Sequence, residues 1–203
     1  MPVRADGGDA DVKISAIKVW QFSKCTIARD KRLVEKLLAS KQNSSDYKTM
    51  FGKLTEKNGS CIGAGNLKMS GGIARNALAA AYLEDRFRDQ PLPDFSSVPP
   101  LYRISSLPSG TENKQIMRMG VHQFVECVAR SAPEQTVDLF ATDPFSAAES
   151  EVFETLQPVM GSCLPVEAGV KLGFTRLELR TLLGKITYRL LAASENRTGA
   201  EED

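Results

Sequence analysis

The sequence predicts an all-helical fold, built by tandem duplication of a four-helix module that carries two cysteines. Three observations predict it: the cysteines recur at equal spacing, apolar residues recur at helical spacing, and strand patterns are weak. Of the 203 residues, 42% are hydrophobic and 25% are charged, which is typical of a globular chain. A chain of this length buries a core without needing disulfides to fold.

The internal repeat joins two segments that lie 102 positions apart. Residues 19–25 read VWQFSKC, and residues 121–127 read VHQFVEC. Each segment is followed by a Gly-Ser-Cys triplet, at 59–61 and at 161–163. The two cysteines of a copy are therefore 36 positions apart in both copies, since 61 − 25 and 163 − 127 are equal.

Further matches follow in the same order along both copies. At the offset of 102, Phe51 matches Phe153. After the second cysteine the offset becomes 105, which pairs Arg75 with Arg180. An ordered set of matches of this kind indicates duplication of one folding unit.

Each copy is predicted to contain four helices, A to D, from apolar periodicity and helix-start signals. The expected ranges in the two copies are 14–28 and 116–130 for A, 31–40 and 132–142 for B, 45–58 and 147–160 for C, and 71–88 and 176–192 for D. Three capping boxes are expected, at 131–134, 146–149 and 175–178. Short extended segments are expected at 66–69 and 170–172.

The predicted domain organisation follows from these helices. It consists of a disordered N-terminus at 1–12, module copy 1 at 13–88, a proline-rich packed connector at 89–115, module copy 2 at 116–193 and a disordered C-terminus at 194–203. The apolar face of helix D in copy 1 is made of small residues such as Ala74, Ala77 and Ala81. Small residues permit close helix packing, so we expect this helix at the centre of the fold.

The four cysteines leave three alternatives open: disulfides, buried thiols or a metal site. Their even number and equal spacing favour disulfides within each copy, Cys25–Cys61 and Cys127–Cys163, and therefore an oxidising compartment. A metal site is disfavoured because the chain has no C-x-x-C pair and only one histidine. The polar first residues contain no apolar leader, so the expected location is periplasmic or secreted if a leader was removed, and otherwise cytoplasmic.

No motif in the sequence carries catalytic or cofactor chemistry, and we expect neither a cofactor nor a metal. The glycine-rich segment at 63–72 precedes helix D, but it lacks the spacing of a phosphate-binding loop. His122 replaces Trp20 of the first copy, which favours a packing position over a catalytic base. Arg75 and Arg180 recur at matching positions, which makes them possible anion contacts or structural arginines.

The segment from Gln123 to Leu191 resembles a group of uncharacterised exported bacterial proteins. The resemblance is carried by F-x-x-C-V-x-R at 124–130, by Cys163 followed by Leu-Pro, and by F-T-R-x-x-L-R at 174–180. It implies export and a helical fold, and it implies no activity, because the group has none assigned.

The leading functional hypothesis is a non-enzymatic helical interaction or structural protein of the bacterial envelope, with a protein as its partner. One alternative is a small-molecule or lipid binder whose apolar cavity, lined by Met and Phe, lies between the modules. Another is an enzyme of unknown class, which a cleft uniting Arg75, Arg180 and carboxylates would favour. A membrane span and a nucleic-acid partner are not expected, since no apolar run reaches about 18 residues and the net charge is +1.

Overall fold

The computed structural model of the chain describes residues 10–63, 71–164 and 174–201. The fold is all-helical, as the sequence predicts. The helices are α1 (Ala10–Ala39), α2 (Ser45–Lys57), α3 (Gly71–Phe87), α4 (Asn113–Ser131), α5 (Pro133–Ala141), α6 (Ala147–Ser162) and α7 (Arg176–Glu201). Short 3₁₀ helices cover Gly59–Ile62 and Ile104–Ser106.

The predicted helices A and B form one element in the first half of the chain and two elements in the second. α1 contains both, with a kink at Asp30, where φ is −136° and ψ is 43°. α4 and α5 are separated at Ala132, which lies 102 positions later and has nearly the same backbone angles, −139° and 60°. The capping box predicted at Ser131 is wrong, because Ser131 still belongs to α4 and the N-cap position of α5 is Ala132.

Helices α2 and α6 begin with the same local geometry. Asn43 and Phe145 both have positive φ, 68° and 64°. The next residue in each case is a serine whose hydroxyl caps the helix: Ser44 accepts from the Tyr47 amide, and Ser146 accepts from the Glu149 amide. The Glu149 carboxylate also accepts the backbone N–H of Phe145, at 2.8 Å.

The first and last described helices extend into the segments that were predicted to be termini. α1 already begins at Ala10, and α7 continues to Glu201. One tertiary contact holds the extension of α7, because the Glu195 carboxylate lies 2.6 Å from the guanidinium of Arg86 on α3. Residues 1–9 and the two predicted extended segments, 66–69 and 170–172, lie outside the described residues.

The α3–α7 pair forms the centre of the fold. A Cβ atom added at Gly184 would lie 2.7 Å from the Cβ of Ala80, so the two helices cross at very short distance. α1 packs on α3, α4 packs on α7, and α5 also packs on α3. The expectation that helix D of the first copy is central is confirmed, since the buried face of α3 consists largely of alanine.

The connector between the halves is packed, and α4 binds its backbone. Phe95, Val98 and Tyr102 are buried. The carboxylate of Glu126 accepts the backbone N–H groups of Leu101 and Tyr102 at 2.9–3.0 Å. The Arg130 guanidinium donates to the carbonyl oxygens of Phe95 and Pro99. These bonds fix Tyr102 beside the site described below.

Two disulfides join the helices as predicted, and no described cysteine is free. Cys25–Cys61 ties α1 to the 3₁₀ helix that follows α2, and Cys127–Cys163 ties α4 to the end of α6. Their Cα–Cα distances are 5.7 and 5.6 Å. Such bonds persist in oxidising, extracytoplasmic environments. Among the described helices, none has the length and apolar character that crossing a membrane requires.

Candidate functional site

The two recurring arginines close the ends of equivalent helices. Arg75 on α3 donates to the carbonyl oxygens of Leu37 and Leu38 near the end of α1. Arg180 on α7 donates to the carbonyl oxygens of Phe140, at 3.4 Å, and Thr142, at 2.6 Å, at the end of α5. The last carbonyls of a helix have no partner within the helix, and each arginine donates to acceptors of this kind at the end of another helix.

The surroundings of the two arginines differ. The Arg180 guanidinium is 2% exposed, lies 2.9 Å from the Glu149 carboxylate and stacks on the Trp20 ring, 4.4 Å from its centroid. Arg75 is half-buried and lies over the Tyr47 ring at 5.4 Å. The structure does not bring the two predicted anion contacts into one site: Arg75 lines a cleft, and Arg180 is enclosed by protein groups.

The cleft that contains Arg75 lies where the end of α1 faces α3, α4 and α7, and its volume is about 890 Å³. Its residues come from both halves of the chain. They are Leu38, Ala39, Ser40, Lys41, Gln42, Arg75, Asn76, Ala79, Arg118, Lys185, Tyr188, Arg189, Ala192, Ala193, Glu195 and Asn196.

Positive charge dominates this cleft. We define the cationic triad as Arg118 on α4 together with Lys185 and Arg189, which lie one turn apart on α7. No carboxylate of the described residues lies within salt-bridge distance of any of the three. The one acidic residue in the lining, Glu195, is paired with Arg86. The cleft is therefore a concave surface with uncompensated positive charge.

The pKa of Lys185 depends on its burial and on the cations around it. Burial first, and then the charges of Arg189, Arg118 and Arg75, together lower the pKa of its ammonium group to about 8. The mutual repulsion of these cations destabilises the folded protein. An anion bound among them would relieve this electrostatic repulsion.

His122 lies behind Lys185. Burial lowers the pKa of this imidazole to about 4, assisted by the charges of Lys185 and Arg118, so the ring is neutral at pH 7. Its Nε2 atom lies 3.4 Å from the Lys185 ammonium and accepts a hydrogen bond from it. The imidazole also packs on the Tyr102 ring at 4.7 Å, and the Tyr102 hydroxyl accepts a hydrogen bond from Arg189. His122 is thus a buried support for the triad, which agrees with its predicted packing role.

Sequence reasoning missed the cationic triad. Arg118 and Lys185 are 67 positions apart, since 185 − 118 = 67, and nothing in the sequence places α4 beside the end of α1. The spacing of Lys185 and Arg189 by four residues was the only available signal, because it puts both on one helix face. The cleft also contains neither Met nor Phe, and so differs from the apolar cavity expected between the modules.

Other site types find no support in the described residues. Within 10–63, 71–164 and 174–201, no group of three or more His, Cys, Asp or Glu side chains is placed to hold a metal ion. Most of the glycine-rich segment, 64–70, lies outside the described residues. Comparison of the chain with protein-family models, with curated proteins and with solved structures finds no match.

Proposed function

We propose that the chain is a non-enzymatic binding protein of the bacterial envelope that takes an anionic ligand in the cleft between two copies of a duplicated module. One observation carries the proposal: three cations from two helices converge on a cleft of about 890 Å³ and lack carboxylate partners among the described residues. A ligand supplies the missing negative charge. The two disulfides favour the extracytoplasmic location.

Equal offsets along the chain support the duplication. The kink residues, the positive-φ residues, the helix-capping serines and both disulfides are each related by 102 positions. A close contact of α3 and α7 joins Ala80 to Gly184, and the counterpart of Gly184 is Ala79, since 184 − 105 = 79. The two D helices thus cross near equivalent positions, as an approximate twofold relation between the copies requires.

Comparison of matching positions in the two copies separates basic residues that both copies share from basic residues that only one copy has. The arginine that both copies share closes a helix end in each. The cationic triad occurs only in the second copy. Its counterparts in the first copy, at offsets of 102 on α4 and 105 on α7, are Ala16, Ala80 and Glu84. The first copy has no positive charge at these positions, which supports a role of the triad in the cleft.

The position in the other copy that corresponds to the cleft lies around Arg180, and protein groups fill it. There α5 packs on α3, and Trp20 covers Arg180. On the cleft side, the matching end of α1 does not pack extensively on α7, and His122 stands where the first copy has Trp20. Two differences between the copies therefore coincide at the cleft. The helices pack less extensively there, and basic residues stand where the first copy has neutral or acidic ones.

Titration calorimetry with pyrophosphate, a compact polyanion, tests the proposal. We expect saturable binding at low ionic strength that weakens as salt screens the charges. The variants Arg118→Ala and Lys185→Ala should each weaken binding about tenfold or more, because a hydrogen bond to a charged group contributes about 1.5–3 kcal/mol. Alanine suits both positions, since alanine stands at their counterparts in the first copy.

Arg32→Ala is the matched control. Arg32 is exposed on α1, lies outside the cleft and has no charged partner among the described residues. Its removal deletes the same charge and should leave the affinity within about twofold. Equal losses in Arg32→Ala and Arg118→Ala would reduce the effect to net charge and refute the assignment of the cleft. Absence of any saturable binding by the intact protein would refute it as well.

A further inference from the structure

We infer that the ligand is an acidic sugar, a phosphorylated or carboxylated saccharide, whose charged group binds the cationic triad and whose ring lies along α7 towards Asn196. This inference rests on the proposed function and specifies its ligand. It starts from the distribution of charged and neutral residues along the cleft.

α7 contributes one continuous stripe to the cleft. The stripe consists of Lys185, Tyr188, Arg189, Ala192, Ala193 and Asn196. The last five lie 3, 4, 7, 8 and 11 positions after Lys185, which is the spacing of one helix face. Eleven positions at about 1.5 Å each give the stripe a length of roughly 16 Å. The cations occupy only its first five positions. The cleft is therefore basic at one end of α7 and free of basic residues along the rest of this stripe.

Apart from the charged side chains of Lys41, Arg75 and Glu195, the rest of the lining contains several small and amide side chains. Ala79, Ala192 and Ala193 provide short side chains that leave space. Three amide side chains, those of Gln42, Asn76 and Asn196, line the cleft as well, and none has a hydrogen-bond partner within the described part of the chain. Each amide offers both a donor and an acceptor.

This combination matches a sugar better than an alkyl chain. Sugar hydroxyl groups both donate and accept hydrogen bonds, as the amides do, and the Tyr188 ring offers an apolar surface for the C–H groups of a sugar ring. An alkyl chain would cover the three amides without giving them partners, which is unfavourable. The volume of about 890 Å³ lies within the usual range for a small-molecule site, about 300–1,000 Å³.

Calorimetry with four probes separates the possible ligand classes: glucose 6-phosphate, glucuronate, inorganic phosphate and octyl phosphate. We expect glucose 6-phosphate to bind at least tenfold more tightly than inorganic phosphate and octyl phosphate. Glucuronate tests whether a carboxylate can replace the phosphate. Tighter binding of octyl phosphate, or equal affinity for all four probes, would overturn the inference.

Two variants locate the sugar within the cleft. Ala192→Phe introduces the residue that the first copy has at its counterpart, Phe87, since 192 − 105 = 87. It should abolish the preference for glucose 6-phosphate over inorganic phosphate, because the larger side chain fills the space that the sugar would occupy. Asn76→Ala should reduce the same preference about fivefold. Retention of the full preference in both variants would overturn the inference.

The two proposals fail in different ways. If pyrophosphate binds in the manner described above but sugars have no advantage, the anion site stands and the sugar class is wrong. If no probe binds, pyrophosphate included, the anion site itself is wrong. Arg32→Ala should behave as the intact protein does with every probe.

Discussion

The close crossing of α3 and α7 makes Gly184→Ala a quantitative test of the packing. The new Cβ would lie 2.7 Å from the Cβ of Ala80 and 3.0 Å from its Cα and N atoms. Ordinary carbon–carbon contacts are about 3.5–4.0 Å. Because two of the three contacts are with backbone atoms, no rotamer change relieves them, and the helices must move apart by about 1 Å.

The expected free-energy change is the sum of two opposing effects. Overpacking a close contact costs about 1–3 kcal/mol. Replacing glycine by alanine within a helix contributes about 1 kcal/mol in the other direction. We therefore expect Gly184→Ala to reduce the free energy of unfolding by up to about 2 kcal/mol.

Gly52→Ala is the matched control, because Gly52 lies within α2 and has no atom within 4 Å of the added Cβ. This variant should gain about 0.5–1 kcal/mol, from helix propensity alone. Urea unfolding followed by circular dichroism, with both disulfides intact, measures both variants. If Gly184→Ala gained as much stability as Gly52→Ala, the α3–α7 contact would not have the short distance described here.

Three further predictions concern the cross-links and the buried charges. Replacing both cysteines of either disulfide by serine should lower the free energy of unfolding by about 4 kcal/mol on the chain-entropy model. The two losses should be similar, since both bonds span 36 positions. Urea unfolding measures them, and markedly unequal losses would contradict the prediction. Arg180→Leu should cost about 3–5 kcal/mol by leaving Glu149 buried without its cation, whereas Arg75→Leu should cost about 1–2 kcal/mol; the reverse order in urea would refute the burial of the Arg180 pair. NMR titration of His122, the only histidine, should give a pKa of about 4. The folded pKa lies below the unfolded value of about 6.5, so stability should fall as pH drops from about 6.5 towards 4, and His122→Gln should remove that part of the slope; an ordinary pKa would contradict the burial of the ring.

Much of the fold could be predicted from local sequence. Apolar periodicity placed α2 to α6 within about three residues at each end, because a helix is stabilised by contacts between neighbours in sequence and by one buried face. The failures occurred where local rules competed. At Ser131 a capping box was expected, but the residue completes the last turn of α4. The sequence also contained no signal for the contact of Glu195, on the C-terminal part of α7, with Arg86 on α3.

The sequence by itself predicted the helical class and favoured the pairing of the cysteines, since periodicity and spacing are properties of the chain alone. Only the tertiary structure decided where charge accumulates. The cationic triad comes from two helices that are distant in sequence, and the amides beside it come from the end of α1, from α3 and from α7. Likewise, Arg75 and Arg180 look alike in the sequence, yet one lines the cleft and the other is enclosed by Glu149 and Trp20. Burial and electrostatic repulsion depend on which groups meet in space, and helix packing, not spacing along the chain, sets those distances.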